Sequence, residues 1–448
     1  MPILSRSRAF FSHHLVRKTA ILQIGGVSGM LVQAAAGVLL ARLLGPVSYG
    51  TYALAFSIAS VCSVFIGGSL TDAIAPALSR AWATKDRDAY RATVGFYVRF
   101  VATCALLTLI LFLLLPWITN FLYHDTSIAT YAMLIIVASI ISVSVFALVQ
   151  LSLQVAGKFS SLAALNFTDV FIRYGSSVAL VGGGLGIIGA VTGHVAGAIV
   201  VLLGSVLLYR RVQHAEGVLP PMRTFITLAR TASWSPMLRP ALLVLADSNF
   251  ALLYGALPVA LVGLFARGAD LAYFKLAFGY IVLAMSTMGP MSVVMNVHFP
   301  TVQTTSPGRL RQTFIRVTGA AVGLSTVITI VAVALSPVVF RILYGSAYLP
   351  AVPYVFGFFM FGALFGLGVG LGPMWRALNK VKTSILINSI TLGVGIPLGL
   401  LFIHIWGLWG AVAMVTLWYT ASHAASFWYL VRRLKTYPEQ DTMLQHES

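Results

Sequence analysis

Charge is what this chain lacks most. Lys, Arg, Asp and Glu make up 9% of its 448 residues, and mean hydropathy is +0.92, whereas about 25% of a soluble protein is charged. So bare a surface cannot be solvated, which excludes a soluble enzyme or binding domain and leaves an integral membrane protein. Acids are scarcest, 11 against 29 Lys and Arg. Cysteine is nearly absent too. Cys62 and Cys104 both fall in apolar runs, where a thiol behaves as a small apolar group, so no disulfide is expected. His194, His298 and His404 are scattered without metal-ligand spacing, and no Gly-rich phosphate loop occurs, so neither a metal nor a cofactor is expected.

What the chain has in abundance is apolar length. Twelve runs near 20–43, 49–71, 93–116, 129–151, 163–184, 187–209, 239–263, 272–298, 314–335, 351–374, 383–403 and 407–431 each approach the roughly 20 residues that cross a bilayer as a helix. They are too long and too uniformly apolar for barrel strands, so the fold class is all-α. A net charge of +18 would suggest nucleic acid in a soluble domain, but here the basic residues follow the topology. With the N-terminus inside, Lys and Arg concentrate on the cytoplasmic side, from Arg6 and Arg8 to Arg432, Arg433 and Lys435. The exceptions are Arg42, Arg267, Lys275 and Arg341 at outer ends, and Arg99 and Arg173 inside spans. That split predicts both termini in the cytoplasm and no nucleic-acid partner. The basic start resembles a signal's first region, but the apolar stretch after it is long and ends in no cleavage pattern, so a retained first helix is expected.

The chain is also duplicated. "YALAFSI" at 52 aligns with "FKLAFGY" at 274, and "GKFSSLAALN" at 157 with "NKVKTSILIN" at 379, both at an offset of 222; "GIIGAV" at 186 meets "GLWGAV" at 407, one residue closer. Two halves of six spans each enter the membrane in the same orientation, forming a parallel repeat, and transporters so built alternate access by rocking one half against the other. The expected division is 1–223 and 224–448, tied by a linker at 210–238 that carries Pro220, Pro221 and five arginines. Each half opens with a hairpin: "LLARLLGPVSYGTYALAF" breaks at Gly45-Pro46, and "GLFARGADLAYFKLAF" turns at Arg267-Gly268. Glycines at four-residue spacing, Gly189, Gly193 and Gly197 and again Gly362, Gly366 and Gly370, predict close helix packing.

"ARLLGPVSYGTYALAFSIASV", "PALSRAWATKDRDAYR" and the stretch from "LYGSAYLPAVPYVFGFF" through "MWRALNKVKTSILIN" to "GLWGAV" resemble the polysaccharide-export branch of the MOP exporter superfamily, which includes the O-antigen flippases (Wzx). The likeness runs over nearly the whole chain. It implies a MATE-like V-shaped bundle of about twelve transmembrane helices in two six-helix repeats, in a bacterial inner membrane. It also implies translocation of an undecaprenyl-pyrophosphate-linked oligosaccharide for surface polysaccharide export, with the anionic headgroup in a cationic central cavity and ion coupling in some members. A polysaccharide polymerase and a chain-length regulator are the partners to look for, and the protein is expected to work as a monomer. The seventh span, "LVLADSNFALLYGALPVALVGLF", departs from the family pattern.

Ionisable groups inside spans cost at least about 2.5 kcal/mol each, so each needs a reason. Arg173 stands one turn after Asp169. Either the pair neutralises itself, or Arg173 faces a cavity and attracts phosphate or an acidic sugar while Asp169 orients it. Asp247, with Asn249 close by, carries a coupling ion or hydrogen-bonds a neighbouring helix, and Asn249 and Asp169 are the other candidates for ion coupling. Arg42, Arg267, Lys275 and Arg341 snorkel to headgroups, or some of them build a basic outer vestibule, and Arg99 is read as snorkelling. Asn166, its repeat mate Asn388, and Tyr174 bind sugar hydroxyls or pack between helices. An enzyme is not expected: the outer loop at 117–128 offers only His124 and Asp125, and the acids of the cytoplasmic loop at 72–92 are interspersed with Arg and Lys. The nearer rival is a drug/cation antiporter of the same superfamily, but its cargo calls for an acidic cavity and these charges are mostly basic.

Overall fold

The computed structural model describes residues 14–446, so the expected basic N-terminus with Arg6 and Arg8 lies outside the described residues. Every element among them is helical. The chain forms two compact units, residues 1–253 and 254–448, so the linker and most of the following helix belong to the first.

In the first unit, α1 (His14–Cys62) is interrupted at Gly45, whose φ of 71° suits a residue without Cβ, and Pro46 opens the next stretch. A tight turn at Ser63–Phe65 follows, then Gly67 at φ 80°, and only then α2 (Leu70–Ala83). The second predicted span, 49–71, is thus broken near its end. Moreover, most of the segment read as the cytoplasmic loop 72–92 is helix. The reason is amphipathicity: Leu70, Ile74, Leu78 and Ala81 recur on one face of α2 and bury against Tyr90, Val94 and Tyr97 of α3 (Arg87–Tyr123). Asp86 caps α3, accepting from the amides of Asp88 at 3.1 Å and Ala89 at 2.9 Å.

Helix α4 (Ser127–Ile141) runs through a π turn at Ser142–Phe146 into α5 (Ala147–Val155). Helix α6 (Phe159–Leu180) then turns at Gly184 and Gly186 into α7 (Gly186–Glu216). The linker is held down rather than loose. Tyr209 donates to the Pro220 carbonyl at 2.9 Å, and short α8 (Phe225–Thr231) packs on α3, where a Cβ at Gly95 would lie 2.6 Å from the Leu228 oxygen. Arg99, expected to snorkel, instead donates to the Ala232 carbonyl at 2.5 Å, with its guanidinium 4.8 Å from the Trp234 ring centre. That carbonyl is one left over at the end of α8, and the aromatic face lies beside it. Helix α9 (Ser235–Val262) completes the unit and continues into the second.

The second unit repeats these devices. Helix α10 (Ala269–Ser286) starts after Gly268 and breaks at Thr287-Met288 before α11 (Gly289–Thr305); the break aligns with that near Phe65. Next come α12 (Leu310–Val339), four short helices α13 (Val352–Gly357), α14 (Phe359–Leu364), α15 (Gly366–Val369) and α16 (Leu371–Ala377), then α17 (Val381–Trp406) and α18 (Leu408–His446). Duplication extends to individual hydrogen bonds. Before α6, Gly157 is left-handed (φ 70°), its amide bonding Gln154 O at 3.1 Å while Lys158 N bonds Leu153 O at 2.9 Å. Before α17, Asn379 is left-handed (φ 51°), bonding Arg376 O at 3.0 Å, and Lys380 N bonds Trp375 O at 2.9 Å.

Eight helical runs among the described residues are long and apolar enough to cross a membrane, or nine if the pair Ser346–Gly357 and Phe359–Ala377, bent by 51°, counts as one. Two of the eight, of 40 and 56 residues, contain the breaks at Gly45 and at Gly184–Gly186. Helix α18 is not among them, because Ser422, Ser426, His423 and its Trp and Tyr residues dilute its apolarity.

Candidate functional site

A cavity of about 460 Å³ lies within the first unit. Part of its wall comes from places where helices depart from regularity, and the rest from regular stretches of helix. The broken segment between α1 and α2 supplies Ser63, Ile66, Gly68 and Ser69; α4 and its π turn supply Ser139, Ser142 and Val143; α6 supplies Asp169 and Arg173; and α9 supplies Ser248, Asn249 and Leu252. Irregular backbone at membrane depth is tolerated where it lines a cavity or finds internal partners. Both conditions hold. Asn249 donates to the Val64 carbonyl at 3.2 Å, satisfying the break, and the Tyr97 hydroxyl donates to Val143 O and, at 3.3 Å, to Ser144 O, satisfying the π turn.

The ionic centre is the i, i+4 pair. Arg173 Nη2 donates to Asp169 Oδ1 at 2.5 Å and to Ser142 Oγ at 2.9 Å, and its Nε donates to the same Oδ1 at 3.2 Å. The side chains are 14% and 18% exposed, so the pair is mostly withdrawn from solvent. Pairing neutralises both members, as one of the two readings of Asp169 and Arg173 required. Removing one partner of such a buried pair costs about 3–5 kcal/mol, and less where exposure screens it.

Comparing the repeats shows how the arginine fits. Arg173 aligns with Gly395 on α17, and Gly197, at the one-residue-shorter offset of α7 and α18, aligns with Trp418. A Cβ at Gly197 would land on the Arg173 backbone, and a Cβ at Gly395 would land on the Trp418 indole. Large residue and glycine have therefore changed helices between the repeats. One turn away the exchange recurs: Ser177 faces Gly193 in the first unit, and Gly399 faces Met414 in the second. At the third glycine the two agree, Gly189 meeting the carbonyl of Leu180 and Gly410 that of Phe402. The row Gly189, Gly193 and Gly197 is thus a packing seam, and its last member seats Arg173. In the second unit Gly362 and Gly366 likewise face Thr329 and Ala321 of α12, and Gly370 faces Phe314.

Of the residues singled out from sequence, Asp169, Arg173 and Asn249 come together in the cavity. Asp247 is partly buried one residue before Ser248, outside that lining. Tyr174 hydrogen-bonds Gln33 and sits edge-on to His194, ring centres 5.2 Å apart, while buried His194 pairs with the Tyr52 hydroxyl at 2.9 Å. Asn166 accepts from Gln150 at 2.6 Å, and Arg42 is exposed shortly before Gly45. In the second unit, Asn388 accepts from Tyr254 at 3.1 Å and from Ser422 at 2.6 Å. Arg267 is exposed, whereas Lys275 is partly buried in α10 and makes no hydrogen bond or ion pair with the described residues. Sequence reasoning missed the serines, His194 and Gln33. Single serines in apolar runs carry no signal, and that Gly197 faces Arg173 comes from the structure alone.

No cluster of metal ligands occurs among the described residues, and no curated protein matches the chain by sequence. Solved structures do match its fold. An inward-facing multidrug-resistance MATE transporter of the MOP superfamily superposes at a TM-score of 0.64 with 14% identity, covering 92% of this chain and 96% of that one. An outward-facing MATE transporter gives 0.64 at 16%, covering 94% and 96%. The lipid II flippase MurJ in an inward closed conformation gives 0.64 at 14%, covering 93% and 88%. These likenesses establish the fold, and the family follows from sequence: residues 39–353 match the polysaccharide biosynthesis protein family, to which this chain belongs.

Proposed function

We propose that the protein is a flippase, moving a polyprenyl-pyrophosphate-linked oligosaccharide from the inner to the outer leaflet of a bacterial inner membrane by alternating access. The observation that carries this reading is membership of a polysaccharide biosynthesis family in a chain with a transporter's fold. Such a chain fits the step in which a finished lipid-linked unit changes sides, rather than a bond-forming step. In this reading twelve spans, divided near 223/224, place both termini in the cytoplasm. Arg42, Arg267 and Lys275 are the cations assigned to the pyrophosphate, and Asp247 is the first candidate for coupling. A polysaccharide polymerase and a chain-length regulator act downstream.

The test is the leaflet distribution of the lipid-linked oligosaccharide in cells with and without the protein, read with an impermeant reagent that modifies only outward-facing sugar. Inner-side accumulation on deletion, relieved by the wild-type chain, is expected. An unchanged distribution together with loss of resistance to cationic drugs would move the protein to the antiporter reading, which the MATE likeness favours. Against that reading, the one carboxylate among the described residues lining the cavity, Asp169, is already paired with Arg173.

A further inference from the structure

The cavity of the first unit carries more than an ion pair. Arg173 has five N–H donors; Nε and Nη2 are engaged, while Nη1 meets no hydrogen-bond acceptor among the described residues. Among the described residues Asp169 accepts only through Oδ1, and Oδ2 has no partner there. The hydroxyls of Ser69 and Ser248 likewise have no hydrogen-bond partner among the described residues, and Asn249 uses its amide nitrogen but not its Oδ1. None of these atoms is among the fully buried polar atoms left without a partner, and their residues line the cavity.

We propose that this cavity is the glycan subsite of the flippase and takes an uncharged, hydroxyl-rich sugar ring rather than the pyrophosphate. The proposal deepens the flippase reading and rests on it. Three features point to a sugar. The pair has no net charge, and a phosphate drawn to Nη1 would meet the open oxygen of Asp169, a like charge. An open donor and an open acceptor on adjacent, mutually fixed groups match a vicinal diol, since each hydroxyl both donates and accepts. Ser69, Ser248 and the Asn249 oxygen extend that mixed set, while Ile66, Val143 and Leu252 offer apolar surface to the C–H face of a ring. The volume falls within the roughly 300–1,000 Å³ of small-ligand sites.

The experiment is equilibrium binding to the full-length protein in phosphatidylcholine nanodiscs. Radiolabelled glucose, galactose and N-acetylglucosamine are the probes, with inorganic pyrophosphate as competitor. At least one neutral sugar should bind, pyrophosphate should not displace it, and Asp169→Asn should weaken it about tenfold or more, as loss of a hydrogen bond to a charged group does. Because Asp169→Asn also disturbs the ion pair, a Ser69→Ala/Ser248→Ala double variant is measured beside it. Neither hydroxyl has a hydrogen-bond partner among the described residues, so folding should be spared and sugar affinity should still fall. Arg173-dependent binding of pyrophosphate, or no binding of any of the three sugars, would overturn the subsite. The leaflet assay separates the two claims: if wild type relieves accumulation while no sugar binds, only the subsite falls, and the reverse result sinks the flippase reading alone.

Discussion

The exchange of large residue and glycine between the repeats can be tested by transplanting it. The second unit holds Thr391, Gly395 and Trp418 where the first holds Asp169, Arg173 and Gly197. A methyl added at Gly197 would lie 2.9 Å from Arg173 N and Cβ, where ordinary contacts are 3.4–4 Å, and closer still to Cα. Gly197→Ala should therefore push α6 and α7 apart and cost about 1–3 kcal/mol, as overpacking does, and Gly197→Trp should cost more. Arg173→Gly alone leaves Asp169 partly buried without its partner and should cost up to about 3 kcal/mol, the lower end for a buried pair because both groups keep some exposure. In the triple variant Asp169→Thr/Arg173→Gly/Gly197→Trp the indole fills the space that Arg173 vacates, and no charge is stranded. Its destabilisation should then fall short of the summed single effects by about 0.5–3 kcal/mol, the coupling expected of residues in contact. Thermal unfolding of detergent-purified variants measures the coupling, and the leaflet assay should find the triple variant folded but inactive. Effects that add to within about 0.5 kcal/mol would refute the exchange, because the indole would then be no better accommodated without Arg173 than with it.

Three further outcomes are expected. Gly366→Ala would place a methyl on the Ala321 carbonyl of α12 and should lower thermal stability by about 1–3 kcal/mol, with sugar binding in the first unit unchanged. Tyr97→Phe strands the Val143 carbonyl of the π turn; a loss of about 1–3 kcal/mol, with faster amide exchange around residues 142–146, is the expected signature, and unaltered exchange would show that the hydroxyl is dispensable there. Arg99→Gln removes the bond to Ala232 and the stack on Trp234, so limited proteolysis should cut the linker between Gly217 and Trp234 sooner than in wild type, while equal cleavage rates would remove Arg99 from that role.

Much of the architecture was legible in the sequence because bilayer-length apolar runs and a duplicated pattern are both long-range regularities. The interruption at Gly45-Pro46 could be read from its residue types, and the turns at Gly157 and Asn379 fall in the stretch aligned from sequence, at residues that tolerate positive φ. What escaped was local and cheap in hydropathy. "SVFIGGSL" breaks a helix with two glycines yet stays apolar enough to pass as its continuation, and the π turn at Ser142 has no residue signature at all. Within the site, the Asp169–Arg173 spacing predicted a pair, but its third member, Ser142, lies on another helix and only folding brings it in. The partner of Arg99 escaped for the same reason: its carbonyl belongs to residue 232.

The repeats also separate what the fold requires from what it permits. Turn geometry, helix breaks and the glycine contact at Gly189 and Gly410 recur in both units, so they belong to the shared scaffold. The Asp169–Arg173 pair does not recur. The second unit closes the same helix seam with Gly395 against an indole that is 2% exposed, so a tightly packed, uncharged solution is open to this backbone. An ionic pair kept at membrane depth, at a cost that the sister repeat avoids, is therefore not explained by folding. Its Nη1 and Oδ2 have no hydrogen-bond partner among the described residues, and both side chains line the cavity, which is the arrangement that the proposed sugar subsite uses.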